Sequence, residues 1–355
     1  MKIGNKELEV PIIQGGMGVG VSLSNLAGHV MKEGAMGCIS AAHPGYNDPD
    51  FKTNSRICNV KALYHHAQKA REIANGKGLL AVNIMFASRD YETYVKASVD
   101  AGYDAIISGA GLPLSLPEYT KGHDILIAPI VSSSRACKLI LKSWDSHYQC
   151  TADFIVIEGC KAGGHLGFRQ KDLENNTCQS LEDILRETLE VLKMYEEKYQ
   201  RKIPVFVAGG IYESKDIVHF MNLGASGVQM GTRFIATEEC DASLVFKQKL
   251  IDSRKEEIVL VKSPAGFPGR AINNTYMKSI KEKPNQKVSH CYGCLKTCNP
   301  MNTPYCITKA LIEAVKGNEE EGLFFTGENG YRIDKIITVK ELIDELRKEL
   351  VCQLL

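Results

Sequence analysis

Eight times along this chain a short apolar run rich in Val and Ile gives way to a glycine or polar turn, and then to a segment of helical periodicity. The runs are Val10 to Gln14, Ala35 to Ile39, Leu79 to Ile84, Ala105 to Ser108, Ile125 to Ile130, Phe154 to Glu158, Val205 to Ala208 and Gly227 to Met230. Near-continuous apolar strands belong to a parallel sheet covered on both faces, and about eight βα units make a closed (β/α)8 TIM barrel the economical α/β architecture. A doubly wound open sheet is the alternative. Leu181 to Tyr199 and Lys61 to Ala74 carry apolar residues at three- and four-residue spacing and are expected as helices on the barrel exterior. The rhythm breaks after Arg270. The polar stretch Lys281 to Lys287, a cysteine cluster and a helical Val339 to Leu350 follow, so the expected division is a barrel over 1–272 and a C-terminal extension over 273–355.

Charge and composition narrow the function. Lys plus Arg number 43 against 42 Asp plus Glu, and no basic tract marks a nucleic-acid footprint. Met1 to Lys6 lacks the apolar run of a signal peptide, and Ile125 to Val131 is far short of the roughly 20 residues that span a bilayer. A cytoplasmic protein without nucleic-acid or membrane partners is the expectation. The 12 cysteines are too sparse for a disulfide scaffold in 355 residues. Cys291, Cys294, Cys298 and Cys306 alone are clustered. Their spacing lets thiolates converge on zinc or an iron–sulfur centre, but it departs from common zinc fingers, and free thiols without a metal are the expected state.

In a barrel, the loops after the strands carry the chemistry. Strand one runs into Gly15-Gly16-Met17-Gly18, strand three ends at Asn83, and strand six runs into Glu158-Gly159-Cys160-Lys161-Ala162-Gly163-Gly164-His165. Strand seven ends in Gly209-Gly210, and strand eight delivers Gln229-Met230-Gly231-Thr232. Adjacent glycines let backbone N–H groups approach an anion, and a following helix N-terminus adds favourable partial charge. The loops after strands seven and eight are the usual phosphate site of such barrels. Gly16-Met17-Gly18-Val19-Gly20 has the wrong spacing for a dinucleotide fingerprint, which excludes a Rossmann domain.

The strings PIIQGGM at Pro11 to Met17, VNIM at Val82 to Met85, EGCKAGGHLG at Glu158 to Gly167, and VAGGI with LGASGVQMGTRF within Val207 to Phe234 resemble the nitronate monooxygenase family, formerly 2-nitropropane dioxygenase. The flavin-containing enoyl-[acyl-carrier-protein] reductases adjoin that family. The resemblance runs in order over about three quarters of the chain. It implies a barrel with non-covalent FMN, with Gly15, Gly16 and Met17 against the isoalloxazine and Asn83 at its polar edge. It places Gly163 and Gly164 beside the flavin and ribityl chain, and Gly209, Gly210, Gln229, Gly231 and Thr232 at the phosphate end.

His165 is the expected catalytic residue, because an imidazole at a strand's C-terminal loop can move a proton or, as a cation, hold a nitronate or enolate oxygen. His43 in Ala41-Ala42-His43-Pro44-Gly45 is a weaker candidate, equally suited to a turn. Ser263 to Arg270 resembles a loop found in these relatives after the barrel, though a Pro/Gly-fixed surface loop would look the same. Two enzyme readings share the site. FMN oxidises alkyl nitronates or nitroalkanes with oxygen, or NAD(P)H reduces FMN for an enoyl thioester on acyl carrier protein. Leu166 stands where many nitronate monooxygenases have Arg, which favours the reductases, whereas the extension departs from a compact reductase. A low-turnover flavin-binding sensor is the reading from another class, and the intact histidine loop argues against it.

Overall fold

The computed structural model describes residues 1–282 and 288–353; of the polar stretch Lys281 to Lys287, residues 283–287 lie outside the described residues. Eight parallel strands close into a barrel: β1 (Ile12–Gln14), β2 (Met36–Ser40), β3 (Leu79–Met85), β4 (Ala105–Gly109), β5 (Leu126–Val131), β6 (Ile155–Glu158), β7 (Val205–Ala208) and β8 (Gly227–Met230). Each strand pairs with its neighbours in sequence, and β8 pairs with β1 to close the ring. The apolar runs mark all eight within two residues at either end.

Side chains alternate across each strand, so successive residues enter different cores. Ile13, Ala81, Ile107, Ala128, Val156 and Phe206 fill the barrel interior. Ile12, Val82, Ile106, Ile127, Ile155 and Val207 face the surrounding helices. Near the floor Phe154 and Phe206 meet edge to face at 5.7 Å. A two-stranded hairpin, Lys2–Ile3 with Lys6–Glu7, closes the barrel's N-terminal end by inserting the fully buried Ile3 and Leu8 into the interior cluster. The helix expected at Lys61 to Ala74 begins earlier, at Phe51, with a non-helical Asn54 interrupting its first turns.

The residues after β8 are built into the barrel. Helices Thr232–Ile235 and Leu244–Ile251, the antiparallel hairpin Ile258–Lys262 with Pro268–Ile272, and helices Thr275–Glu282 and Ile307–Lys316 cover the C-terminal mouth around a small core of Val261, Ala271, Met277, Leu295, Tyr305 and Leu323. Helix Val339–Gln353 then packs between Ser214–Asn222 and Ser24–Lys32, the helices that follow β7 and β1. That is the place of the eighth helix of the ring. Val339, Leu342, Ile343 and Leu346 are fully buried in the same core as the barrel strands' outer faces. A reciprocal cap starts this helix: Glu341 N–H donates to Thr338 Oγ1 at 3.1 Å and Thr338 N–H donates to Glu341 Oε2 at 2.7 Å.

Leu346→Ala is therefore expected to destabilise the barrel itself, by about 2–5 kcal/mol for a buried Leu truncation. Trp144, the single tryptophan, is buried on the helix after β5 and reports barrel unfolding by its fluorescence in urea. An unshifted Trp144 transition in the variant would mean that the terminal helix folds apart from the ring.

Candidate active site

A cavity of about 280 Å³ opens at the C-terminal ends of the strands. Gly15, Gly16, Met17, Asn83, Gly163, Gly164, His165, Gly209, Gly210, Gln229, Gly231 and Thr232 all line it, together with His43. The period of two explains the polar floor. One step above the apolar interior layer, Asn83 on β3, Glu158 on β6 and Gln229 on β8 take the same inward direction as Ala81, Val156 and Gly227 below them. Gln14 secures the seam where β1 meets β2: its Nε2 donates to the Cys38 carbonyl at 3.2 Å, and Cys38 N–H donates to its Oε1 at 3.0 Å.

Gly209 and Gly210 have φ of +93° and +99°, a left-handed backbone that side chains rarely tolerate. Asn329 Nδ2 donates to the Gly210 carbonyl at 2.8 Å, and the stem of Lys161 runs along the same residue. Across the cavity Thr232 Oγ1 accepts Gly327 N–H at 2.9 Å, which leaves its hydroxyl hydrogen free to donate. The helix after Gly231 is a single turn, Thr232–Ile235, too short to present the N-terminal partial charge of a long helix to the cavity. Met17 lays its Sδ against Gly231. Gln229 Oε1 is buried without a hydrogen-bond partner among the described residues. An acceptor left so in a cavity wall is matched by a donor from a ligand or from water.

His165 is held from outside the barrel. Gly164–His165 forms a short strand antiparallel to Pro268–Ile272, with His165 opposite Gly269 and Gly164 opposite Arg270. Arg270 Nη1 reaches back to the carbonyls of Cys160 and Ala162 at 2.7 and 2.6 Å, clamping the loop that precedes the histidine. Gly163 is bare for a reason the resemblance does not supply: a Cβ there would stand 2.5 Å from the Gly327 nitrogen, so its smoothness admits the returning chain. The imidazole packs edge-on against Phe325 at 5.2 Å, and its Nε2 lies 2.7 Å from Ser263 Oγ. Ser263 belongs to the loop that the sequence left equally open to a surface role. Burial lowers the His165 pKa to about 4, so the ring is neutral at ordinary pH.

His43 combines both of its expected roles. Its φ of 54° makes the turn, and its ring is locked between Asn59 Nδ2 at 3.0 Å and Thr308 Oγ1 at 3.1 Å. Because Asn59 Nδ2 donates, Nδ1 accepts and Nε2–H points to Thr308, a neutral tautomer that fits a pKa lowered by burial to about 4. Leu166 is buried against Ala162 and Leu173 and does not itself line the cavity. Sequence reasoning missed Glu158 as a site group, although it opens the quoted histidine motif, and it missed Phe325 and Asn329, which no local pattern announces. Glu158 sits at the cavity wall, and burial raises its carboxyl pKa to about 8. Among the described residues no three His, Cys, Asp or Glu side chains stand close enough to hold one metal ion, and no helix is long and apolar enough to cross a membrane.

The profile of the family described as Nitronate monooxygenase matches residues 1–349. A probable nitronate monooxygenase of Staphylococcus haemolyticus is 25% identical over 301 residues, which are 78% of this chain and 78% of that protein. One from Staphylococcus aureus strain N315 is 24% identical over 298 residues, again 78% of each. Among solved structures, FabK from Thermotoga maritima superposes with a TM-score of 0.74 at 25% identity, covering 98% of this chain and 96% of its own. A nitroalkane oxidase from Streptomyces ansochromogenes shares the fold with a TM-score of 0.71 at 19% identity, over 97% and 96% of the two chains.

The opposed shifts of His165 and Glu158 give stability terms of opposite slope. His165 holds its proton less tightly folded than unfolded, so its contribution is present above about pH 6.5 and is lost as pH falls toward 4. Glu158 keeps its proton when folded, so its contribution is present below about pH 4.5 and is lost as pH rises through 8. Glu158→Gln cannot ionise, and in the ligand-free protein its stability relative to wild type should climb between pH 5 and 8. A urea series across that range showing a constant difference would place the Glu158 pKa in the ordinary carboxyl range.

Proposed function

Because the chain belongs to the nitronate monooxygenase family, we propose that it uses FMN to oxidise alkyl nitronates or nitroalkanes, with His165 as the proton-transfer group. The membership makes it a flavin-dependent oxidoreductase. The observation that carries the finer reading is the neutral His165 lining the same cavity as the paired glycine turns, the unpartnered Gln229 acceptor and Asn83.

The cavity fits FMN at both ends. The Gly209-Gly210 turn, Lys161 and the Thr232 hydroxyl would hold the phosphate, while Gln229 Oε1 would accept a ring N–H and Asn83 would stand at the polar edge. Gly15, Gly16, Met17 and Gly164, which line the same cavity, would lie beside the ring. Bound FMN supplies the two-electron acceptor that no side chain here provides. The chain's residues manage the proton. With Nε2–H donating to Ser263, the Nδ1 lone pair of His165 is free to take the proton from the carbon next to a nitro group. Ser263 Oγ also accepts Ala265 N–H at 3.2 Å, which fixes the hydroxyl and so the ring's orientation. Ile307, Leu311, Leu323 and Phe325 form an apolar side of the cavity that suits an alkyl chain and excludes water.

The same apolar wall suits the acyl chain of an enoyl thioester carried on acyl carrier protein, with NAD(P)H as electron donor. Anaerobic mixing of the flavin-loaded protein with NADH, NADPH and propyl-2-nitronate separates the two readings by which one bleaches the flavin fast. His165→Asn is expected to retain FMN, identified by mass spectrometry after heat release, and to lose about 10²–10⁴-fold in turnover. Full flavin with undiminished turnover in that variant would remove His165 from the chemistry. Recovery of FAD alone would remove the basis for the phosphate site.

A further inference from the structure

A buried network on the cavity wall ends in two hydroxyl groups that have no acceptor. Asn59 lies fully buried in the helix Phe51–Ala74, and its Oδ1 accepts Gly45 N–H at 3.1 Å. A backbone N–H can only donate, so that bond fixes the orientation of the amide and makes Nδ2 a donor of two hydrogens. One goes to His43 Nδ1 at 3.0 Å and the other to the Tyr94 hydroxyl oxygen at 2.9 Å. His43 then carries its proton on Nε2 and donates it to Thr308 Oγ1 at 3.1 Å. Tyr94 and Thr308 are thus both acceptors within the network, and their own O–H hydrogens point out of it. Among the described residues no oxygen or nitrogen accepts either hydrogen. The Cys294 thiol beside Thr308 is only a weak acceptor, which leaves Tyr94 as the freer donor of the two. Tyr94, Thr308 and His43 are all buried, and all line the cavity.

We propose that the Tyr94 and Thr308 hydroxyls form a substrate subsite that binds a neutral acceptor oxygen, a carbonyl or a hydroxyl, remote from the reacting carbon. The subsite rests on the reading that this cavity takes the substrate, and it names what the far end of that substrate carries. The ring of strands sets its place. His43 follows β2, and β2 stands four strands from β6 in a closed ring of eight, so the network lies across the mouth from the loop of His165. A substrate whose carbon meets His165 therefore reaches Tyr94 and Thr308 only with an oxygen several bonds along its chain. The charges on the wall set the preference for a neutral group. Among the described residues, Asp90 is the one acidic or basic side chain that the cap and the segments after β2 and β3 contribute to the lining. Its carboxylate repels an anion, and no lysine or arginine from those segments lines the cavity to offset it, so an ester, amide or alcohol is favoured over a carboxylate. A substrate lacking the oxygen would leave both buried hydroxyls unpaired, and that cost is the source of discrimination.

Kinetics of the FMN-loaded full chain with the nitronates of methyl 4-nitrobutanoate, 4-nitrobutanoate and 1-nitrohexane test this. Tyr94→Phe and Thr308→Val should each raise KM for the ester about 3–10-fold more than for the hexane derivative, the size of one neutral hydrogen bond, and Thr308→Ser should not. Asn59→Asp keeps the shape of the side chain but puts an acceptor where Nδ2 was. Tyr94 then donates to the new carboxylate, so the ester should lose its advantage although Asn59 does not itself line the cavity. A purely structural role would move both substrates together. Equal changes in KM for the ester and the hexane derivative in both Tyr94→Phe and Thr308→Val therefore overturn the proposal, and so does a wild type that prefers the carboxylate to the ester. Should the variants fail to fold or to hold flavin, that wild-type order decides by itself. If none of the nitronates is turned over, the nitronate reading fails. Dissociation constants of methyl 4-nitrobutanoate and 1-nitrohexane, measured by ligand-observed NMR in wild type and Tyr94→Phe, then decide the subsite by the same difference.

Discussion

The candidate site rests on one short antiparallel contact. Gly164 and His165 leave the barrel after β6 and pair with Gly269 and Arg270, so the histidine backbone is fixed by hydrogen bonds to a hairpin more than 90 residues later. Arg270, on the same strand, ties down the two carbonyls that precede it. Ser263, at the other end of the hairpin turn, holds the ring itself. A loop rich in glycine would otherwise sample many conformations. Here the direction of its side chain is determined by residues outside the barrel.

The division of labour between barrel and cap follows from sterics and solvation. Inward positions at the strand ends supply polar groups, Asn83, Glu158 and Gln229, because the layer below them is packed apolar core. The cap supplies apolar wall and shuts out water. Burial then discharges both titratable groups in opposite ways: the imidazole loses its proton and the carboxyl keeps its own. Across a wide range around neutrality the ligand-free cavity therefore carries an uncharged base and an uncharged acid. Two groups driven apart in pKa by their surroundings are the usual arrangement for moving protons in both directions at one pH.

The barrel strands were readable in the sequence because a parallel strand buried on both faces must be apolar throughout, and few other structures demand that. The glycine turns were readable for a related reason, since a backbone that approaches a ligand or another strand cannot carry a Cβ. What escaped was everything made by chain return. Asn329, Phe325 and Gly327 meet the strand-seven and strand-six loops only across chain separations of 119 residues for Asn329 and Gly210 and about 160 for Phe325 and His165 and for Gly327 and Gly163, and no local periodicity encodes such distances. Gly163 shows the ambiguity well: its bare Cα is explained equally by a flavin and by Gly327, and only the fold adds the second. The terminal helix was recognisable as a helix, but its place in the barrel ring was not, because the interval after β8 hides their adjacency.

That interval has a consequence for synthesis. When the ribosome has delivered β8, all eight strands exist, yet the groove between the first and seventh barrel helices still waits for a helix that begins at Val339. The ring is completed only after every cap residue has been made. A chain that has just delivered β8 therefore exposes that apolar groove as well as the uncapped barrel mouth, and such transiently exposed apolar surface is what chaperones bind.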